Sequence, residues 1–114
     1  MKTLQELIDL VAEVWPFNRN YYRTMGDISL EEKKMFAIRH ILLHYGKSLG
    51  LLAEIIESYE HGGANKFDQV KLKQIVPKLF KNTLRLADIA GMDAEDLIKE
   101  CEPWGGVGND STYG

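Results

Sequence analysis

The chain has 114 residues, room for one hydrophobic core and too few for two. Its 45% hydrophobic and 27% charged residues are an ordinary globular balance, and a net charge of −3 excludes the basic excess of a dedicated nucleic-acid binder and any general attraction to an anionic membrane. The single cysteine, Cys101, excludes an intrachain disulfide and a Cys-rich metal motif, which predicts a reducing compartment. The first residues carry Glu6, Asp9 and Glu13 within an apolar stripe, unlike a signal peptide, and no run of 18 apolar residues occurs. A cytoplasmic protein without a membrane partner is expected.

The first helix opens at Thr3. Glu6 stands three residues on, so each side chain can satisfy an orphan backbone donor. Leu4, Leu7, Ile8, Leu10, Val11 and Val14 recur at helical spacing, until Pro16 pushes Trp15 out of the helical region. Trp15 reads as a core anchor; a ring that stacks on a base is the alternative. Residues 17–27 form a loop with three rings, Phe17, Tyr21 and Tyr22, expected to fold down onto the bundle; a cover over a nucleotide base is the alternative.

The second helix begins after Ser29, with Glu32 placed for another reciprocal cap, and runs to about His61, where Gly62 and Gly63 stop it. At ~1.5 Å per residue this is a rod of roughly 45–50 Å. Gly46 and Gly50 predict a kink or a close helix contact. Its apolar residues, among them Met35, Ile41, Leu42, Leu49, Leu52 and Ile55, cover more than one stripe. That predicts burial on two sides, one against its own bundle and one against a second copy of the chain. A homodimer or homotetramer is expected.

The third helix is predicted over residues 68–90, with Pro77 either kinking it or opening its main part. Gly91 is its stop, and Asp93 caps a short last helix, AEDLIKEC. Residues 1–102 read as one helical domain and 103–114 as a Gly-rich tail in which Trp104 is the residue expected to pack back. No segment alternates with period two, so the fold class is all-α, a four-helix-bundle-like arrangement with one long central helix.

The stretch TLRLADIAGMDAEDLI at residues 83–98, and HILLHYGKSLGLLAEIIES at residues 40–58, resemble the MazG-like nucleoside triphosphate pyrophosphohydrolases over roughly residues 30–98. The resemblance implies an all-α fold and Mg²⁺-dependent cleavage of nucleoside triphosphates to monophosphate and pyrophosphate. Magnesium needs hard oxygen ligands in a near-octahedral shell. The family supplies them as Glu-x-x-Glu on one helix and Glu-x-x-Asp on a facing one. In register, those four positions fall on Ser48, Leu51, Ile75 and Lys78, and none is a carboxylate. A slipped set, Glu54, Glu57 and Asp88, is the alternative metal site; its bland counterpart is a solvated helix face.

Two further constellations stand out. His40 and His44 share a helix face, as zinc ligands or as two hydrogen-bonded, half-buried rings. Positive groups stand where the resemblance would place metal: His44 and Lys47 on the second helix, and Lys78, Lys81 and Arg85 on one face of the third. Such groups can hold a phosphate without metal; the bland alternative pairs Lys78 with a carboxylate such as Glu54. The favoured expectation is therefore a MazG-like relative with a degenerate metal site and no catalytic residues. It would bind at most a nucleotide or other phosphorylated small molecule through His44, Lys47, Lys78, Lys81 and Arg85. The alternatives are an active Mg²⁺-dependent hydrolase using the slipped set, and a non-catalytic helical interaction module.

Overall fold

A computed structural model describes residues 1–18, 20, 22 and 25–103. Within them all regular structure is helical, in the order α1 (Leu4–Val14), α2 (Leu30–Glu60), α3 (Gln69–Ile89) and α4 (Ala94–Cys101). The expectations for Tyr21 and for Trp104 lie outside the described residues.

Local chemistry sets the ends of these helices. At α1 the cap is reciprocal: the Glu6 N–H donates to Thr3 Oγ1 at 3.1 Å and the Thr3 N–H donates to Glu6 Oε1 at 3.0 Å. Asp93 and Asp96 do the same at α4. At α2 only half of the expected reciprocal cap forms, because the Ser29 hydroxyl itself donates to Glu32 Oε1 at 3.1 Å. The C-termini of α2 and α3 end alike. Gly62 (φ 76°) and Gly91 (φ 75°) take the left-handed conformation, and the residues at the turn return their N–H groups to Tyr59 and Ser58, and to Asp88 and Ala87. Asp68 caps α3, which then runs unbroken through Pro77, so the main helix does not begin at the proline.

Packing departs from the expectation of a long central helix. Extensive contacts join α2 to α3, α1 to α3, and α1 to α4, so α3 is the shared element and α2 flanks it. Ile8, Val11, Leu84 and Ala94 form one core cluster, closed by Leu4, Leu7 and Leu97. Gln5 ties α1 to α4 by accepting the otherwise orphan N–H of Ala94 at 2.8 Å. On the other side of α3, Ile75 is buried, and α2 buries Ala37, Ile41, Ser48 and Ile55. Each of the buried isoleucines contributes about 1.5–3 kcal/mol. Tyr45 and Thr83 join their hydroxyls across α2 and α3 at 2.6 Å.

The rest of α2 remains open. Leu42 is 66% exposed, Leu43 65% and Leu49 54%. No atom lies within 4 Å of where a Cβ would stand on Gly46 or Gly50, so these glycines serve no close helix contact within the chain. No described helix is long and apolar enough to cross a membrane.

Candidate anion-binding cleft

The facing surfaces of α2 and α3 enclose a cleft of about 350 Å³. Each helix contributes four residues at spacings of three, one and three: His44, Lys47, Ser48 and Leu51 from α2, and Lys78, Lys81, Asn82 and Arg85 from α3. That spacing keeps four side chains on one face of a helix, and the face-to-face packing brings the two sets together. Trp15 and Tyr22 complete the lining from the first helix end and the loop. All five cationic or imidazole positions expected from the sequence stand in this one cleft, while Arg39, Lys71 and Lys73 do not line it. No Asp or Glu is among its described lining residues, Glu54 included.

Arg85 is the anchor of the cleft and is only 8% exposed. One guanidinium nitrogen, Nη2, donates to the Trp15 carbonyl at 3.2 Å and to the Tyr22 hydroxyl at 3.1 Å. Its Nε is buried without an acceptor. The guanidinium carbon lies 4.1 Å from the centroid of the Phe17 ring, and Phe17 stacks on Tyr22 at 5.4 Å. Phe17 and Tyr22 are thus folded onto the bundle, where they cover Arg85: Tyr22 also meets Phe36 and His40 edge-on. Among the described residues this buried guanidinium is met by a carbonyl, a hydroxyl and a ring face.

Next to it, His40 and His44 place their Nε2 atoms 3.1 Å apart. Burial lowers the pKa of both, with Arg85 adding to the effect on His40, and His40, Arg85 and Lys47 adding to it on His44. One neutral ring therefore donates to the other. The hydrogen-bonded reading of the pair describes this geometry, with His44 facing the cleft and His40 packed among Phe36, Tyr22 and Phe17.

Trp15 is not the core anchor that its position suggested. It is 40% exposed at the cleft rim, with the Lys81 ammonium 4.6 Å from its ring centroid. Cys101 is an exposed free thiol. Asn82 is the lining residue that sequence reasoning missed. It had a legible signal, a polar side chain one turn after Lys78; it is buried, and its amide donates to the Lys78 carbonyl at 2.9 Å. Trp15 and Tyr22 were legible only as alternatives, a stacking ring and part of a cover, since only the fold of the loop brings them to α3.

The four positions where the resemblance places metal ligands do not suit magnesium. Ser48 is 4% exposed and Ile75 1%, Leu51 is half-buried, and Lys78 brings a positive charge. The slipped set does not substitute for them: Glu54, Glu57 and Asp88 are exposed, and Asp88 borders a separate pocket on the other side of Arg85. Among the described residues no three His, Cys, Asp or Glu side chains group closely enough to hold a metal ion. No protein-family model matches the chain, and no curated protein and no solved structure matches it.

Proposed function

We propose that this chain is a relative of the MazG-like pyrophosphohydrolases whose metal site has degenerated, and that it binds a nucleotide or another phosphorylated small molecule directly through the cationic cleft. The single observation that carries this reading is Arg85. Among the described residues the hydrogen bonds of its buried guanidinium go to a carbonyl and a hydroxyl rather than to a carboxylate, and an anion would complete it. The cleft in front of it adds Lys47, Lys78 and Lys81 and no negative charge among its described lining. Phosphate oxygens suit that set: guanidinium binds them as a planar fork and ammonium groups as point charges. The all-helical chain and the order of its elements support the resemblance at the level of architecture.

Such a protein needs no Mg²⁺, because cations of the chain stand where the family's metal would. The active-hydrolase reading would need oxygen donors that converge, and Glu54, Glu57 and Asp88 are spread over exposed surface.

Calorimetry with a nucleoside triphosphate, and separately with inorganic pyrophosphate, in excess EDTA tests the proposal. Binding is expected without metal, and Lys78→Glu should weaken it at least tenfold. Binding that appears only with Mg²⁺, or pyrophosphate release abolished by Glu57→Gln, would replace this reading with the hydrolase. No binding to any phosphorylated ligand would leave the interaction module.

A further inference from the structure

The α2 helix carries two seams, one buried within the chain and one only partly used there, by the Tyr45–Thr83 hydrogen bond and the edge-on contact of Tyr59 with Phe67. The first consists of Ala37, Ile41, Ser48 and Ile55, all buried. The second starts at Ile38 and recurs alternately four and three residues apart, through Leu42, Tyr45, Leu49, Leu52 and Ile56 to Tyr59. This is the 3.5-residue period of a helix that packs along another helix by knobs into holes. Tyr45 and Leu52 are half-buried beside α3, whereas Ile38, Leu42, Leu49, Ile56 and Tyr59 are 38–66% exposed. A single exposed leucine is ordinary, but a periodic row over three heptads is the sequence of an interface.

We infer that this second seam pairs with the same seam of a second copy of the chain, antiparallel, about a two-fold axis near Gly50 and Leu51. The flanking positions select this occupant and this direction. The residues that follow every second seam position are Arg39, Gly46, Ala53 and Glu60, all exposed. In an antiparallel pair with Leu42 layered on the partner's Tyr59, Tyr45 on the partner's Ile56 and Leu49 on the partner's Leu52, this flank faces itself. Arg39 then meets the partner's Glu60, and Gly46 meets the partner's Ala53. Both charges are answered twice by symmetry, and two small residues meet where the backbones approach. A parallel pair would instead set Lys34 beside the partner's Arg39, a like-charge contact, and leave Glu60 opposite the partner's Ile55. The self-complementarity is what an isologous two-fold interface requires. It also gives Gly46 a use that the single chain does not show. His44, Lys47 and Leu51 point away from the seam, so the pairing leaves the cleft open and does not depend on what the cleft binds.

Sedimentation equilibrium of the full chain and its variants tests this. The unmodified chain should be a dimer at micromolar concentration. Leu42→Glu with Leu49→Glu should raise the dissociation constant at least about 100-fold while the far-ultraviolet circular dichroism keeps its helical signal, since both positions face solvent in the single chain. Arg39→Glu alone and Glu60→Arg alone should each weaken the dimer roughly three- to thirtyfold, and the two together should recover most of that loss, because the charge pair is restored with its sign reversed. A monomer at 100-fold higher concentration, or a dimer indifferent to the two glutamates, overturns the interface. A double charge reversal as weak as either single one overturns the antiparallel register.

Discussion

His40 and His44 sit one turn apart on α2 with their Nε2 atoms 3.1 Å from each other, held there by the rings of Phe36 and Tyr22 on one side and the charge of Arg85 on the other. The pair is stable only while at least one ring stays neutral, since two imidazolium groups at that distance would repel and neither could accept.

That geometry makes stability fall on mild acidification. Unfolded, both histidines titrate near about 6.5. Folded, both pKa values are lower, because burial disfavours the charged form and the neighbouring cations add to it. Below about pH 6.5 the unfolded chain takes up protons that the folded chain refuses, so the contribution is complete above that pH and is lost as pH drops through it towards the folded values. The melting temperature should therefore fall between pH 7.5 and 5.5, and less so in a chain carrying His40→Gln and His44→Gln. Equal slopes in the two proteins would exclude the pair as the cause.

An anion in the cleft reverses part of this effect. It would stabilise the imidazolium form of His44, so binding should take up a proton. Sulfate is a clean probe, because its own charge is constant in this range. Its affinity should increase as pH is lowered from 7.5 to 6, and His44→Gln should flatten the dependence. Calorimetry in buffers of different ionisation enthalpy would read the proton directly.

Arg85→Met separates structure from binding. The substitution keeps the apolar stem and removes the charge, leaving the Trp15 carbonyl and the Tyr22 hydroxyl without their donor. A loss of about 1–2 kcal/mol in folding stability is expected, measured by urea unfolding. Binding of pyrophosphate should drop at least tenfold, more than that modest loss of stability explains. Unchanged affinity would remove Arg85 from the site.

Ile75 shows why a carboxylate cannot simply be placed at each position where the resemblance expects one. Fully buried against α2, it should cost about 2–5 kcal/mol when cut to alanine. Ile75→Glu, which restores a carboxylate at a position where the resemblance expects one, should unfold the chain at ambient temperature, because the charge would have no partner and no water. Thermal unfolding of the two variants, with and without Mg²⁺, checks this; a folded, Mg²⁺-stabilised glutamate variant would contradict it.

Two glycines should respond in opposite directions to the same change. Gly91 holds φ at 75°, where a Cβ is strained, so Gly91→Ala should destabilise the chain by about 1 kcal/mol. Gly50 lies within α2 with open space at its Cβ position, so Gly50→Ala should stabilise the folded chain by about 0.5–1 kcal/mol. Chemical denaturation of both variants gives the comparison.

Much of this fold is written in local sequence. The caps at Thr3, Ser29, Asp68 and Asp93 and the stops at Gly62 and Gly91 act within a few residues of themselves, so the helices were legible with their ends. The cationic face Lys78, Lys81, Arg85 was legible for the same reason, since helical spacing alone puts those residues together. What could not be read was which helix lies in the middle. The long α2 carries the most apolar residues, yet α3 is the shared element, because α1 and α2 both pack on it.

The difference between local and tertiary information is sharpest at Arg85 and Trp15. The sequence by itself determined that a row of positive charges would run along one helix and that no carboxylates would stand at the expected metal positions, because residue type and a 3.6-residue period suffice for both. Only the tertiary structure decided that Arg85 would be buried while Lys78 stayed in water, and that Trp15, seventy residues away, would leave the core to supply a carbonyl and a ring at the cleft rim. Burial depends on what the rest of the chain lays over a side chain, and that follows from the packing of whole elements rather than from the composition of any one of them.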